Sequence, residues 1–242
     1  MTDGKEIATL PEDWESALAI VAHPDDLEYG ASSAVAKWTA QGKKIGYVMV
    51  TRGEAGIDSI QPEEAGKLRE IEQINSAGVV GVKSVEFLNY TDGVVEYGMD
   101  LRRDISAVIR KHRPNILITG NFHLAWNEGN FNMADHRAVG LAVLDAARDA
   151  GNRWIFPELL EQGLEPTNSV KMVFVSGSPN ITHAVDVGDF IDKGVLSLEE
   201  HKIYIENLGI DFDPDFFLRM NANAVGSQFG CDYAVGFEVF TI

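Results

Sequence analysis

Four segments of the chain are apolar almost throughout, and each is followed by residues whose apolar positions recur every three or four places. "ALAIVA" (Ala17 to Ala22), "KKIGYVMVT" (Lys43 to Thr51), "VEFLNY" (Val85 to Tyr90) and "NILITG" (Asn115 to Gly120) read as strands. Between the first two, Ala31, Ala34, Val35 and Trp38 fall at helical spacing, so this part is a βαβ unit. A second helix is predicted over Gln61 to Val80, where Pro62 and two glutamates suit a helix start. A third runs over Met99 to His112 and is ended by Pro114. After the fourth strand, Val139, Ala142, Val143 and Ala146 mark a helix that Asp135 can cap. The loop before that helix is about fourteen residues long, a length compact domains seldom keep without a use for it. Lys171 to Gly177 and His183 to Gly188 then predict strands, Asp189 to Gly209 a helix, and Tyr233 to Phe240 a last strand.

Strands alternating with helices predict an α/β fold whose mostly parallel sheet is covered on both faces, with right-handed connections. No repeat, low-complexity tract or linker interrupts the pattern. The expectation is therefore a single domain over residues 1–242, with residues 1–16 as an N-terminal extension. In such sheets ligands collect beyond the carboxyl ends of the strands, where the strand order reverses. If the first and fourth predicted strands meet at that point, "HPDD" after the first comes next to "ADHR" after the fourth.

Composition changes this picture mainly by exclusion. At 242 residues and 45% hydrophobic, the chain can build one sizeable core. Its start is acidic, without a basic-then-apolar leader, and no run approaches the length of a bilayer span, so a cytoplasmic protein with no membrane insertion is expected. One cysteine, Cys231, removes internal disulfides and cysteine-rich zinc sites. The net charge of −17 argues against a nucleic-acid partner. The first strand-to-helix turn lacks G-x-G-x-x-G and is acidic, which argues against a dinucleotide enzyme.

That acidic turn is where chemistry concentrates. His23 and Asp26 stand three apart, so both can face one point while Asp25 takes another direction, and His136 can join them from the later helix. Two histidines, one carboxylate and an open position suit catalytic zinc, with Asp25 as general base to its water. Aspartate is also a common helix cap and proline suits a helix start. One cap, however, satisfies one helix, whereas two aspartates beside a histidine and an apolar strand crowd like charge that a cation relieves.

"AHPDD", "TRGEAG", "LREIEQINSAGVVGV", "FLNYTDG", "RPNILIT" and "ADHRAVG", in this order from about Leu18 to Ala147, resemble the LmbE/PIG-L family of zinc-dependent de-N-acetylases. The resemblance implies a Rossmann-like three-layer α/β/α fold and removal of an N-acetyl group from an amino sugar or sugar-bearing small molecule. By matching motif, His23, Asp26 and His136 correspond to ligands of Zn2+, with another divalent metal possible in their place. Asp25 corresponds to the base, and Arg69 and Asp92 to substrate contacts. A homo-oligomer, trimer or hexamer, is also implied. Many relatives have a histidine where this chain has Met133, at a position thought to stabilise the oxyanion or protonate the leaving amine. A thioether does neither. His123, Asp135 and Arg69 are the candidates to fill the role, since one lost oxyanion donor costs roughly 3 kcal/mol in other enzymes. Phe122, Trp126 and Phe131 on the long loop are of the type that packs against sugar faces. Two alternatives remain at this level: an amidase of a non-sugar or thiol conjugate, and a catalytically impaired metal- or sugar-binding homologue.

Overall fold

The computed structural model describes residues 6–127 and 129–242. Its elements in chain order are β1 (Ala8–Thr9), β2 (Ser16–Val21), α1 (Ser32–Ala40), β3 (Lys44–Met49), α2 (Pro62–Val79), β4 (Val85–Phe87), α3 (Met99–His112) and β5 (Ile116–Gly120). There follow β6 (Ala125–Asn127), β7 (Asn130–Phe131), α4 (Ala134–Asp149), α5 (Glu158–Glu161), β8 (Met172–Ser176) and β9 (His183–Asp186). The chain closes with α6 (Ile191–Glu199), α7 (Lys202–Glu206), α8 (Pro214–Phe229) and β10 (Ala234–Thr241).

One eight-stranded sheet has the order β1-β9-β10-β8-β5-β2-β3-β4. Strands β8, β5, β2, β3 and β4 run parallel, and β10 is antiparallel to both β8 and β9. From β2 the chain moves outward through β3 and β4, then returns to place β5 on the other side of β2. The β2/β5 seam is thus the point where strand order reverses, and the first and fourth predicted strands are neighbours there, which is the condition for the two motifs to meet.

The run "ALAIVA" is apolar throughout because β2 is buried on both faces. Ala17, Ala19 and Val21 pack with α1 residues Ala34, Val35 and Trp38 on one side of the sheet. Leu18, Ile20 and Ala22 pack with Ile105 and Ile109 of α3 and Val139, Ala142 and Val143 of α4 on the other.

Several expectations need correction. Residues 8–14 are not an appended extension: β1 pairs with β9, and Leu10 and Trp14 join the core, Trp14 edge-on to Trp38 at 5.2 Å between centroids. The single helix expected over Asp189 to Gly209 is a short 3-10 turn followed by α6 and α7, broken around His201, which turns inward and is fully buried. The long loop after β5 contains the β6/β7 hairpin. Helix α8 lies where no element was expected, although Asp213 caps it through the Phe216 N–H, Pro214 starts it and Gly230 ends it in the left-handed conformation.

Candidate metal centre and active site

Strand β2 ends at Val21, and within five residues the chain delivers His23, Asp25 and Asp26 to the carboxyl edge of the sheet. Asp26 closes the turn on itself, its Oδ2 accepting from the His23 backbone N–H at 2.9 Å. Its other oxygen, Oδ1, lies 3.0 Å from His136 Nε2 and 3.6 Å from His23 Nδ1, and those two ring nitrogens are 3.2 Å apart. His136 comes from the first turn of α4, carried to the same edge by the β2/β5 pairing.

Three donor atoms at 3.0, 3.2 and 3.6 Å from one another fit one metal ion. Tetrahedral zinc with bonds of about 2.0–2.1 Å separates its ligand atoms by about 3.3–3.4 Å. Without such an ion, two histidine nitrogens face each other across a carboxylate oxygen. Burial works to lower His23 and His136, but the charge of Asp26 and hydrogen bonds to neighbouring carboxylates raise both. Burial works to raise Asp26, yet the charges of His136 and His23 hold it well below the usual carboxylate range.

The far side of each histidine ring is also held. His23 Nε2 faces Asp92 Oδ1 at 2.9 Å and Asp135 Oδ2 at 3.4 Å, while His136 Nδ1 faces Asn132 Oδ1 at 3.0 Å. Such partners fix the tautomer and ring direction of a metal-binding histidine. Sequence reasoning missed Asn132, which also donates to the Asn121 and His123 carbonyls and so ties the hairpin loop to the site. Its signal was its place one helical turn before His136.

These contacts redistribute the expected roles. Asp135 is buried and accepts from the Gly93 and Val95 N–H groups in addition to facing His23, so both its oxygens are engaged within the protein. Asp92, expected to touch substrate, splits its carboxylate between His23 and the Ala55 N–H. Arg69 is buried and donates to Asp25 Oδ2 at 2.9 Å, to Pro24 O and to Gly53 O. The "TRGEAG" loop accommodates it: a Cβ on Gly53 or Gly56 would lie 2.2 or 2.4 Å from Arg69 Nη1. His123 is drawn to Glu238 Oε2 at 2.7 Å, with Asn180 beside it, and is not among the groups gathered at His23. Met133 is 53% exposed at the N-cap of α4 and brings no donor.

Asp25 differs from its neighbour in every respect. Its φ of +89° is a conformation that costs a residue other than glycine about 1–3 kcal/mol. The backbone N–H is taken by Gln73 Oε1 at 2.9 Å. Oδ2 is taken by Arg69, whose guanidinium lies over the Tyr204 ring at 4.1 Å from its centroid. Burial pushes the carboxyl up to about 6, with Arg69 opposing. Asp25 is thus a nearly enclosed carboxylate poised to gain or lose a proton near neutral pH. Beyond it, Trp126 of β6 packs its ring edge-on to His136 at 5.5 Å and keeps 37% of its surface exposed.

Fold and site together define a class: doubly wound α/β proteins with a two-histidine, one-carboxylate cluster at the switch point and a second, protonatable carboxylate beside it. The chain belongs to the GlcNAc-PI de-N-acetylase (PIG-L) family, whose model matches residues 18–147. It is similar to the diacetylchitobiose deacetylase of Thermococcus kodakarensis, at 29% identity over 229 residues, covering 93% of this chain and 82% of that one. The crystal structure of N,N'-diacetylchitobiose deacetylase from Pyrococcus horikoshii superposes with a TM-score of 0.84 at 25% identity, covering 95% of this chain and 85% of that chain. A 4-carboxy-2-hydroxymuconate hydratase from Pseudomonas putida shares the fold, with a TM-score of 0.72 at 18% identity over 93% of this chain and 95% of its own.

Proposed function

We propose that this protein is a metal-dependent N-deacetylase that hydrolyses the acetamide of an amino sugar or a sugar-bearing small molecule, giving acetate and a free amine. The observation that carries the reading is the donor triangle of His23, Asp26 and His136 with Asp25 beside it. The deacetylase relatives at 29% and 25% identity support an N-acetyl sugar as substrate. Likeness to a hydratase means the fold alone does not select the reaction.

A divalent metal, for which we propose zinc, would be held by His23, Asp26 and His136, and would supply there polarisation of the acetamide oxygen and acidification of a water. Asp25 takes the proton of that water as its oxygen bonds to the acyl carbon. At neutral pH a carboxyl that titrates at about 6 is mostly ionised and able to accept it. Asp25 then returns the proton to the sugar nitrogen as the C–N bond breaks. Neither Met133 nor the engaged Arg69 and Asp135 has to act as acid, because one carboxylate serves both proton transfers. Asp92, Asp135 and Asn132 hold the histidines, and Arg69 holds Asp25.

The test measures metal content and acetate release from a panel of N-acetylated sugars, with metal-depleted and zinc-restored protein. Wild type is expected to regain turnover with zinc, and His136→Ala to lose both metal and turnover. Asp25→Asn should keep the metal and lose a hundredfold or more in kcat, on the order of a missing general base. A His136→Ala variant with full zinc and activity would overturn the reading.

A further inference from the structure

Helix α2 turns its polar side inward. Arg69, Glu72, Gln73 and Ser76 lie one helical stripe apart and are buried, whereas Ile71 and Ile74 are 57% and 48% exposed. The buried stripe leads away from the metal centre through a chain of defined bonds. Gln73 Oε1 accepts the Asp25 N–H, and Gln73 Nε2 donates to Glu28 Oε1 at 3.0 Å. The Ser76 hydroxyl donates to the same Glu28 oxygen at 2.7 Å and meets the Ser197 hydroxyl of α6 at 2.8 Å. The second Glu28 oxygen faces His201 Nε2 at 3.7 Å, and both residues are fully buried. Among the described residues, Glu28 Oε2 and both His201 ring nitrogens have no hydrogen-bond partner.

A buried, incompletely paired glutamate and histidine are costly to keep, so they need a purpose that packing does not supply. An amide side chain can present either its oxygen or its nitrogen. Glu28, an acceptor, compels Gln73 to give it the nitrogen, which leaves the oxygen facing Asp25. His201 occupies the far side of Glu28 and leaves Oε1 turned toward Gln73 and Ser76. We propose that Glu28, backed by His201, is a positioning residue that sets the orientation of Gln73, and that Gln73 in turn holds Asp25 in the left-handed conformation from which its carboxylate addresses the water. None of the three touches the reacting atoms. The proposal rests on the deacetylase reading for its effect on rate, and its structural half stands apart from that reading.

The experiment uses Gln73→Met, Glu28→Met and their combination, with Glu28→Gln as the conservative variant that retains an acceptor. Four quantities are read: zinc content, kcat, KM, and hydrogen exchange of the Asp25 amide resolved by 15N NMR. Gln73→Met should lower kcat by roughly tenfold to a hundredfold, as a misplaced reacting group does. KM and zinc content should stay within about twofold, since no ligand or substrate contact is removed. The Asp25 amide should exchange about tenfold faster once its acceptor is gone. Glu28→Met should repeat the pattern, the double variant should add less than about threefold, and Glu28→Gln should recover most of kcat. Should Glu28→Met fail to fold, Gln73→Met alone decides. Unchanged exchange at Asp25 overturns the proposal, as does a loss confined to KM or zinc, or independent effects in the double variant. Wild type without any turnover would sink the deacetylase reading instead, and the exchange rates would still decide the positioning role.

Discussion

His23 shows how one side chain serves two purposes. Nδ1 looks toward the donor triangle, and Nε2 looks back at Asp92 and Asp135. Removing either backing carboxylate should therefore weaken metal binding without deleting a ligand. Asp92→Asn and Asp135→Asn are each expected to lower zinc affinity by roughly tenfold to a hundredfold, checked by competition with a chelating dye. Asp25 makes a prediction of the opposite sign for stability. Burial disfavours its charge and pushes its carboxyl in the folded protein up to about 6, from 3.8 for an ordinary aspartate. The folded state then holds the proton more tightly than the unfolded chain, and stability falls as pH rises from about 4 to 6. Asp25→Asn, which mimics the neutral form, should raise the melting temperature of metal-free protein at pH 7.5, with the gain vanishing near pH 4. His23, Asp25, Asp26 and His136 were legible because their spacing and residue types are unusual after an apolar strand. The contacts of Gln73, Glu28 and Asn132 were not, since an amide or a glutamate has meaning only through partners that the fold brings to it.

Among the elements, strands were easier to read than helices. A fully buried strand announces itself by an unbroken apolar run, as β2 and β5 do. Helix α8 escaped because its apolar residues are spread around its circumference, with Phe216 and Met220 left exposed. The α6/α7 break escaped because His201 looks like any polar residue in a helical run until its burial is known. The β6/β7 hairpin carries Trp126 to the edge of His136, where an exposed aromatic face next to the reacting centre suits a sugar ring. Trp126→Ala should raise KM for N-acetylated sugars severalfold with kcat little changed, and steady-state kinetics on the substrate panel measures it. An unchanged KM would remove Trp126 from the substrate surface. In the core layer between α1 and the sheet, Trp38 is fully buried against Trp14, Phe174 and Phe237. Trp38→Ala should cost about 3–5 kcal/mol, read from denaturant unfolding.

For the molecule as a whole, the decisive event is a chain reversal in the sheet. By seating β5 beside β2 it joins residues 23–26 to residue 136, an adjacency that doubly wound sheets permit but that no residue of the sequence specifies. A metal bound at this site would also couple the molecule to pH. Burial works against charge on His23 and His136, but the Asp26 carboxylate wins and raises both, so the metal-free protein holds protons there that a cation must displace. Apparent zinc affinity should climb as pH rises above the ordinary histidine value of 6.5, with proton release seen as a dependence of calorimetric heat on buffer ionisation enthalpy. Stability contributed by those protonated histidines to the metal-free fold is present in acid and lost as pH rises, opposite in direction to the stabilisation by metal. Among the described residues no helix is long and apolar enough to cross a membrane. The inward polar stripe of α2 has a bearing on engineering. A designer who ranked positions by burial would replace Gln73 and Ser76 with leucine and Ile71 with lysine, and every such change would look like an improvement in patterning. The product should be less stable, because Gln73 and Ser76 are the two donors to the buried Glu28 Oε1 and Gln73 is the acceptor for the Asp25 N–H, so what looks like a patterning fault is what keeps that carboxylate paired.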